Sequence, residues 1–364
     1  MPTPRSSTAT SARKRATPTS LRRFPAEWEP HAATWIAWPH HKPDWPGKLD
    51  AIHWVYAEIA RVLAACEPVH ILCHDEDASV RAQACLAAHG ATANTTLHLV
   101  PTDRVWLRDS APTTVMRADG SVELIGWQFN AWAKYDNFAR DREVGAAIER
   151  LTGLHRVQPV RPDGKPLVLE GGAIDTDGRG MLMVTEECLL SDVQARNPGM
   201  TRADYERAFA EYLGIRKTIW LGEGCVGDDT HGHVDDIARF AAHDVVLLAY
   251  EEDPADENHR RSVDNLKRLQ AAGGKKGDFT VIKMPYPRPV MMNGERLPAS
   301  YANFYIANGT VLVPTFNDPN DRVALNILTE IFPDHGVVGI HAVDLVWGLG
   351  TLHCLTQQQT RVRG

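Results

Sequence analysis

Gly227-Asp-Asp-Thr-His-Gly-His-Val-Asp-Asp-Ile-Ala-Arg-Phe240 is the stretch whose reading decides the fold. From Val234 onward its apolar residues Val234, Ile237, Ala238 and Phe240 predict a strand over 234–240, and a second β-like run over 245–250 follows at once. If the strand already begins at Thr230, then His231, His233 and Asp235 fall at i, i+2 and i+4. All three then project from one face, spaced by roughly 7 Å per pair of residues. An imidazole beside a carboxylate on a rigid strand suits proton transfer. Asp228 and Asp229, just before it, make the place attractive to a cation. Such a strand predicts a site around it, not a plain apolar core.

Outward from this stretch the same grouping recurs. Strands are expected over 34–38, 69–73, 96–100, 113–116 and 122–127, with helices over 50–65 (Asp50 as N-cap), 77–88 and 141–151. Strands over 167–176 and 181–185, a helix over 202–213 begun by Thr201, and a strand over 217–221 lead to the opening stretch. After it come a helix over 256–271, strands over 279–284, 301–306 and 309–314, a helix over 321–331 and a last strand over 336–341. Helices return at roughly 60–70-residue intervals, too long for a solenoid repeat and too short for independent domains. The expectation is an α/β fold forming one closed, pseudo-symmetric domain over 24–364. A doubly wound sheet would alternate strand and helix more strictly and open on a Gly-rich turn. No P-loop is present, and no case is made for a nucleotide. Residues 1–23 are rich in Ser, Thr and Pro and carry six basic residues, Arg5, Arg13, Lys14, Arg15, Arg22 and Arg23, with no acid. They are expected to be a disordered basic tail.

The 364 residues carry a net charge of −7, which argues against nucleic acid and for a small cationic or neutral partner. Six cysteines with no CxxC pair, in a long chain without a secretory signal, read as reduced thiols and a cytoplasmic location. No apolar run approaches the roughly 20 residues that a membrane span needs. The assembly is left open between a monomer and a homo-oligomer.

Five places carry unusual polar residues at about the interval of the structural unit. They are Val105-Trp-Leu-Arg-Asp-Ser110, Val168-Leu-Glu-Gly-Gly172, the opening stretch, Tyr301-Ala-Asn-Phe-Tyr305 and Gly348-Leu-Gly-Thr-Leu-His-Cys354. A ring of such units would bring Asp109, Glu170, His233, Asp235, Asn303 and Cys354 to a common axis. Taken singly, each has a plain alternative: a surface ion pair, a turn cap, a satisfied strand histidine or a small buried hydrophobe. The other five cysteines are read as inert.

Together these residues resemble the agmatine deiminases, of the guanidino-group-modifying (pentein) superfamily, from about Phe24 to Gln359. The likeness lies in Phe24-Pro-Ala-Glu-Trp-Glu-Pro-His31, Trp106-Leu-Arg-Asp-Ser-Ala-Pro112, Leu169-Glu-Gly-Gly172 and Thr185-Glu-Glu-Cys-Leu-Leu190. It continues in Gly232-His-Val-Asp-Asp236, Asn303-Phe-Tyr-Ile306 and His353-Cys-Leu-Thr-Gln-Gln358. The resemblance implies a five-bladed, pseudo-fivefold ββαβ propeller (the pentein fold). It also implies Cys354 as nucleophile, His233 as general acid/base, Asp109 and Asp235 as guanidinium-binding carboxylates, and Glu170 orienting the histidine. Trp106, Asn303, Asp229 and Trp132 are expected to bind substrate. No metal and no organic cofactor are implied. Two departures stand out: His231, where the family often has Asp, and Leu349-Gly-Thr351, where glycines are common.

The chemistry follows from the guanidinium. Its carbon is a poor electrophile because the charge is delocalised, so carboxylates are needed to fix its plane and localise the charge. A thiolate attacks carbon readily and leaves readily in the second half-reaction. Asp109 and Asp235 should disfavour that thiolate until a cation is bound, so Cys354 is expected to ionise with the help of substrate. A thiol that ionises well below pH 7 without substrate contradicts this. Trp127-Gln-Phe-Asn-Ala-Trp-Ala-Lys-Tyr-Asp-Asn-Phe138 is similar to a segment that carries carboxylate-binding arginines in bacterial peptidyl-arginine deiminases, but here holds only Lys134. Agmatine, giving N-carbamoylputrescine, is therefore favoured over peptidyl arginine. Two other classes compete: a metal hydrolase built on His231-Gly-His233 with Asp228, Asp235 or Asp236, and a non-catalytic binding propeller.

Overall fold

The structure, a computed structural model, describes residues 22–273 and 277–362. The expected tail lies outside the described residues except for Arg22–Arg23, which pairs antiparallel with Thr113–Arg117. Order therefore starts at least two residues before Phe24.

Five sheets of three or four strands repeat one plan, and a sixth is a two-stranded hairpin, Met291–Met292 with Glu295–Arg296. In each of the five an antiparallel pair is followed by a helix that returns the chain to a parallel third strand. Thr113–Arg117 and Val122–Ile125 are joined by Val144–Thr152 to Arg156–Val157. Asp175–Thr176 and Met181–Thr185 lead through Arg202–Ala208 to Lys217–Leu221. Ala238–Ala242 and Val245–Tyr250 lead through Glu257–Ala272 to Thr280–Pro285. Tyr305–Ala307 and Thr310–Thr315 lead through Pro319–Ile331 to Gly336–His341. The fifth sheet joins the two ends of the chain: Gln357–Thr360 pairs with His31–Ala37, and Leu49–Ala64 crosses to Val69–Cys73. Glu76–Ala88 and Thr95–Leu99 extend it by one strand.

Helix starts follow local chemistry. Thr201 with Asp204, and Asp318 with Asp321, form capping boxes that satisfy the first free N–H groups. Asp50 does not cap: the helix starts at Leu49 after Lys48, and Asp50 sits in the first turn, where its charge favours the helix dipole. The helix expected over 202–213 becomes a π-turn at Phe209–Leu213 before Gly214.

The largest correction falls on the deciding stretch. Residues 230–237 are not a strand; Val234–Asp236 is a 3-10 turn, and the strand is Ala238–Ala242. His231 has φ 63° and Gly232 φ 95°, so the period-two face does not form. The strand expected over 167–176 likewise gives way to a 3-10 turn, Gly171–Ala173, and that over 301–306 shrinks to Tyr305–Ala307. The reason is shared. Where polar residues cluster, the chain leaves the sheet in tight turns that aim several side chains at one point, which a flat strand cannot do.

Candidate active site

Cys354 rides on a single turn of helix, Leu352–Leu355, buried to 6% exposure. Asn303 fastens that turn: its Oδ1 accepts from Thr351 Oγ1 at 2.8 Å and from His353 N at 3.0 Å. Its Nδ2 donates to Cys354 Sγ at 3.1 Å and to Asp236 Oδ1 at 3.0 Å. The sulfur lies 3.8 Å from Asp235 Oδ2. Burial, then Asp235, Asp236 and Asp109, push the thiol well above its ordinary range, so it rests protonated.

Asp109 and Asp235 converge on His233 around Gly172. A Cβ on Gly172 would lie 2.5 Å from His233 Nδ1, 3.0 Å from Asp109 Oδ1 and 3.1 Å from Asp235 Oδ2. Only a glycine fits there. Asp109 accepts from the Gly172 N–H at 3.1 Å and from Trp132 Nε1 at 2.9 Å. Burial pushes its carboxyl up to about 6, against the pull of His233. His233 is fully buried, with Nδ1 3.8 Å from Asp109 Oδ1 and Nε2 3.6 Å from Glu170 Oε2. Burial opposes its protonation, but Asp109, then Cys188 and Glu170, outweigh it and hold the imidazole well above the ordinary histidine range. Burial would raise Glu170 too, yet the Arg196 guanidinium at 3.1 Å and His233 hold it down at about 2. Asp235 is lowered against burial chiefly by His353, while Asp236 is raised by burial and by Asp235.

A cavity of about 280 Å³ opens onto this group. Its wall includes Cys354, Asp109, Trp106, Trp132, Asp229 and Gly350. Ala131, Trp132 and Ala133 have φ of 51°, 58° and 53°, three successive left-handed residues that bring the Trp132 indole onto Asp109. Leu349 also takes φ 69°, the conformation glycine favours. Toward the mouth, Asp229 is held by Lys134 and by Tyr135 Oη at 2.7 Å, and Asp44 by Arg104 at 2.7 Å. Lys134, beside the wall, and Arg104, on it, are thus each matched by a carboxylate.

The structure thus brings Asp109, Glu170, His233, Asp235 and Cys354 together, with Trp106, Trp132 and Asp229 on the cavity wall. Asn303 is fully buried behind the sulfur and not on the wall. His231 turns away, with Nε2 3.1 Å from Ser191 Oγ and Nδ1 4.0 Å from Glu187. The paired-histidine metal site therefore does not form. Sequence reasoning missed Arg104 and Asp44, which reach the cavity from segments with no marked pattern. It also missed Glu27 and His353, although both lie inside quoted motifs, and Cys188. That thiol, Glu170 and His233 present atoms within 4.8 Å of one another, although Cys188 is read above as inert.

The helix–strand–strand units and this acid-lined thiol define the α/β pentein fold, and the sequence profile of the Porphyromonas-type peptidyl-arginine deiminases matches residues 23–360; the chain belongs to that family. Among curated relatives, the agmatine deiminase of Ectopseudomonas mendocina is 35% identical over 365 residues, 94% of this chain and 96% of the relative. Agmatine deiminase of Enterococcus faecalis, solved catalysing its reaction, superposes with TM-score 0.85 at 29% identity, covering 94% of this chain and 97% of the other. A cysteine-to-serine agmatine deiminase of C. jejuni with substrate bound gives TM-score 0.84 at 25% identity, with the same coverages. Among the described residues no helix is long and apolar enough to cross a membrane.

Proposed function

We propose that this chain is an agmatine deiminase, hydrolysing the guanidinium of agmatine to N-carbamoylputrescine and ammonia. The observation that carries the reading is the Cys354 sulfur on the wall of a cavity that also exposes Asp109, with Asp235 and the His233 imidazolium directly behind. Asp109 and Asp235 grip the guanidinium, whose charge offsets theirs and lets the thiol release its proton to solvent. The thiolate adds to the guanidinium carbon, and the His233 imidazolium gives its proton to the departing nitrogen, which leaves as ammonia. A thiouronium remains on sulfur. Neutral His233 then takes a proton from water as the oxygen adds to the same carbon. The C–S bond breaks as the hydroxyl proton passes to sulfur, returning the thiol, and the product is a urea. Glu170, fixed by Arg196, orients the imidazole and supports its charge. Trp106 and Trp132 flank the planar group, Asp229 stands near the amine end, and Asn303 acts by holding the sulfur.

The five repeated units are read as blades closing about a pseudo-fivefold axis. Residues 24–364 are then read as one catalytic domain, which Arg22–Arg23 also joins. Lys134 and Arg104, each already paired with a carboxylate, leave little free positive charge for a substrate carboxylate and favour an ammonium tail. Arg104 on that wall supports a second reading, peptidyl-arginine deiminase, which forms citrulline. Steady-state turnover of agmatine against a peptide ending in arginine tests the choice: kcat/KM should favour agmatine by at least about a hundredfold, a difference of nearly 3 kcal/mol. Equal or reversed preference overturns it.

A further inference from the structure

His353, next in sequence to Cys354, is a buried imidazole that the chemistry above leaves unused. Its Nδ1 lies 2.6 Å from Asp235 Oδ2 and its Nε2 2.8 Å from Glu27 Oε2. Ionised carboxylates offer only acceptors, so a neutral imidazole would satisfy one contact and turn a lone pair on the other. Glu27 has no room for a proton of its own. It also accepts from Arg239 at 2.8 Å, from Arg108 at 3.2 Å and from the Ile306 N–H at 2.8 Å. Arg239 in turn binds Asp175 at 2.6 Å. Glu27, Asp175 and Asp235 thus face Arg108, Arg239 and His353, a cluster that balances only when His353 is charged.

We propose that His353 is a standing imidazolium, the built-in counter-cation of the guanidinium pocket, and acts as a positioning residue that keeps Asp235 ionised and aimed. Its bond occupies Asp235 Oδ2, while Oδ1 has no hydrogen-bond partner among the described residues and is left for substrate. The other groups facing Asp235 are Asp236, Asp109 and the Cys354 thiol, which oppose its charge, and His233 and Arg239, which favour it. The helical turn bearing Cys354 therefore also brings the cation that readies the carboxylate beside it. The inference rests on the reading of Asp235 as a guanidinium-binding group.

His353→Gln keeps an N–H donor near Asp235 and removes the charge. The acid limb of kcat/KM for agmatine should move up by one pH unit or more, and KM at pH 7 should rise at least tenfold and recover toward pH 9. A residue with a merely structural role would lower kcat at every pH alike; that pattern, or an unchanged limb and KM, overturns the proposal. Nitrogen-15 NMR of the His353 ring in the substrate-free native protein gives an independent reading, valid even if the variant fails to fold. Both ring nitrogens should carry protons at pH 7, and one bare nitrogen there refutes the assignment. Absence of agmatine turnover in the native enzyme would overturn the functional reading alone, leaving the ring measurement to stand.

Discussion

Asp109 is where pH acts first. Its carboxyl is pushed up to about 6 by burial, so it is ionised above that pH and neutral below it. A neutral Asp109 cannot share the guanidinium charge, so kcat/KM should fall about tenfold per unit as pH drops through 6. Glu170, held at about 2, stays ionised throughout and adds no limb in that range. A pH–rate profile flat from 8 to 5 contradicts this. Gly172 gives a second residue-scale prediction. With a Cβ 2.5 Å from His233 Nδ1, Gly172→Ala must displace the imidazole or the turn. Turnover should drop by about a hundredfold or more, the cost of a misplacement near 1 Å, while circular dichroism keeps its native form. Asp109, Glu170, His233, Asp235 and Cys354, which the structure brings together, were legible in the sequence because each stood in an odd local context. His353 was not, because its role depends on Glu27, 326 positions away in the chain.

Among elements, those set by hydrophobic period and caps were readable: the strands Val69–Cys73 and Lys217–Leu221 and the capped helices match closely. The turns at Gly171–Ala173 and Val234–Asp236 were not, because their short apolar runs also fit a strand. The left-handed turn at residues 131–133 left no signature either, since neither alanine nor tryptophan favours that conformation. It costs about 1–2 kcal/mol per residue and persists because Trp132 is held by Asp109. Ala133 is exposed, so Ala133→Gly removes that cost with little packing loss. Set against the greater freedom of glycine in the unfolded chain, urea unfolding should show a net gain of about 0.5–1 kcal/mol. A loss of about 1 kcal/mol, as for glycine inside a right-handed helix, would mean that the turn is not left-handed.

At the scale of the molecule, the recurrence of units was visible as spacing, but the joining of the chain ends was not. Strand Gln357–Thr360 carries three glutamines and a threonine and has no apolar pattern. Its place is set by partners: Gln358 accepts from Arg108 at 2.7 Å, Gln357 donates to Pro112 O at 3.0 Å, and Gln359 accepts from Trp35 Nε1 at 3.0 Å. Ending the chain at Thr356 removes these bonds and one strand of the sheet next to Cys354. With each buried bond worth about 1 kcal/mol, several are lost from a total near 5–15 kcal/mol. The truncated protein should lose activity and its single sharp unfolding transition; native-like melting and turnover would show that the closing strand is dispensable.

The central claim is that Cys354 carries the amidino carbon of the substrate. Mass spectrometry of the native protein, acid-quenched during turnover of agmatine, tests it most directly, because acid stops the base-dependent release of the adduct. The account predicts an added amidino-butylamine mass on the peptide containing Cys354 and none on Cys188. Turnover of agmatine by a Cys354→Ala protein, or an adduct on another residue, would contradict it.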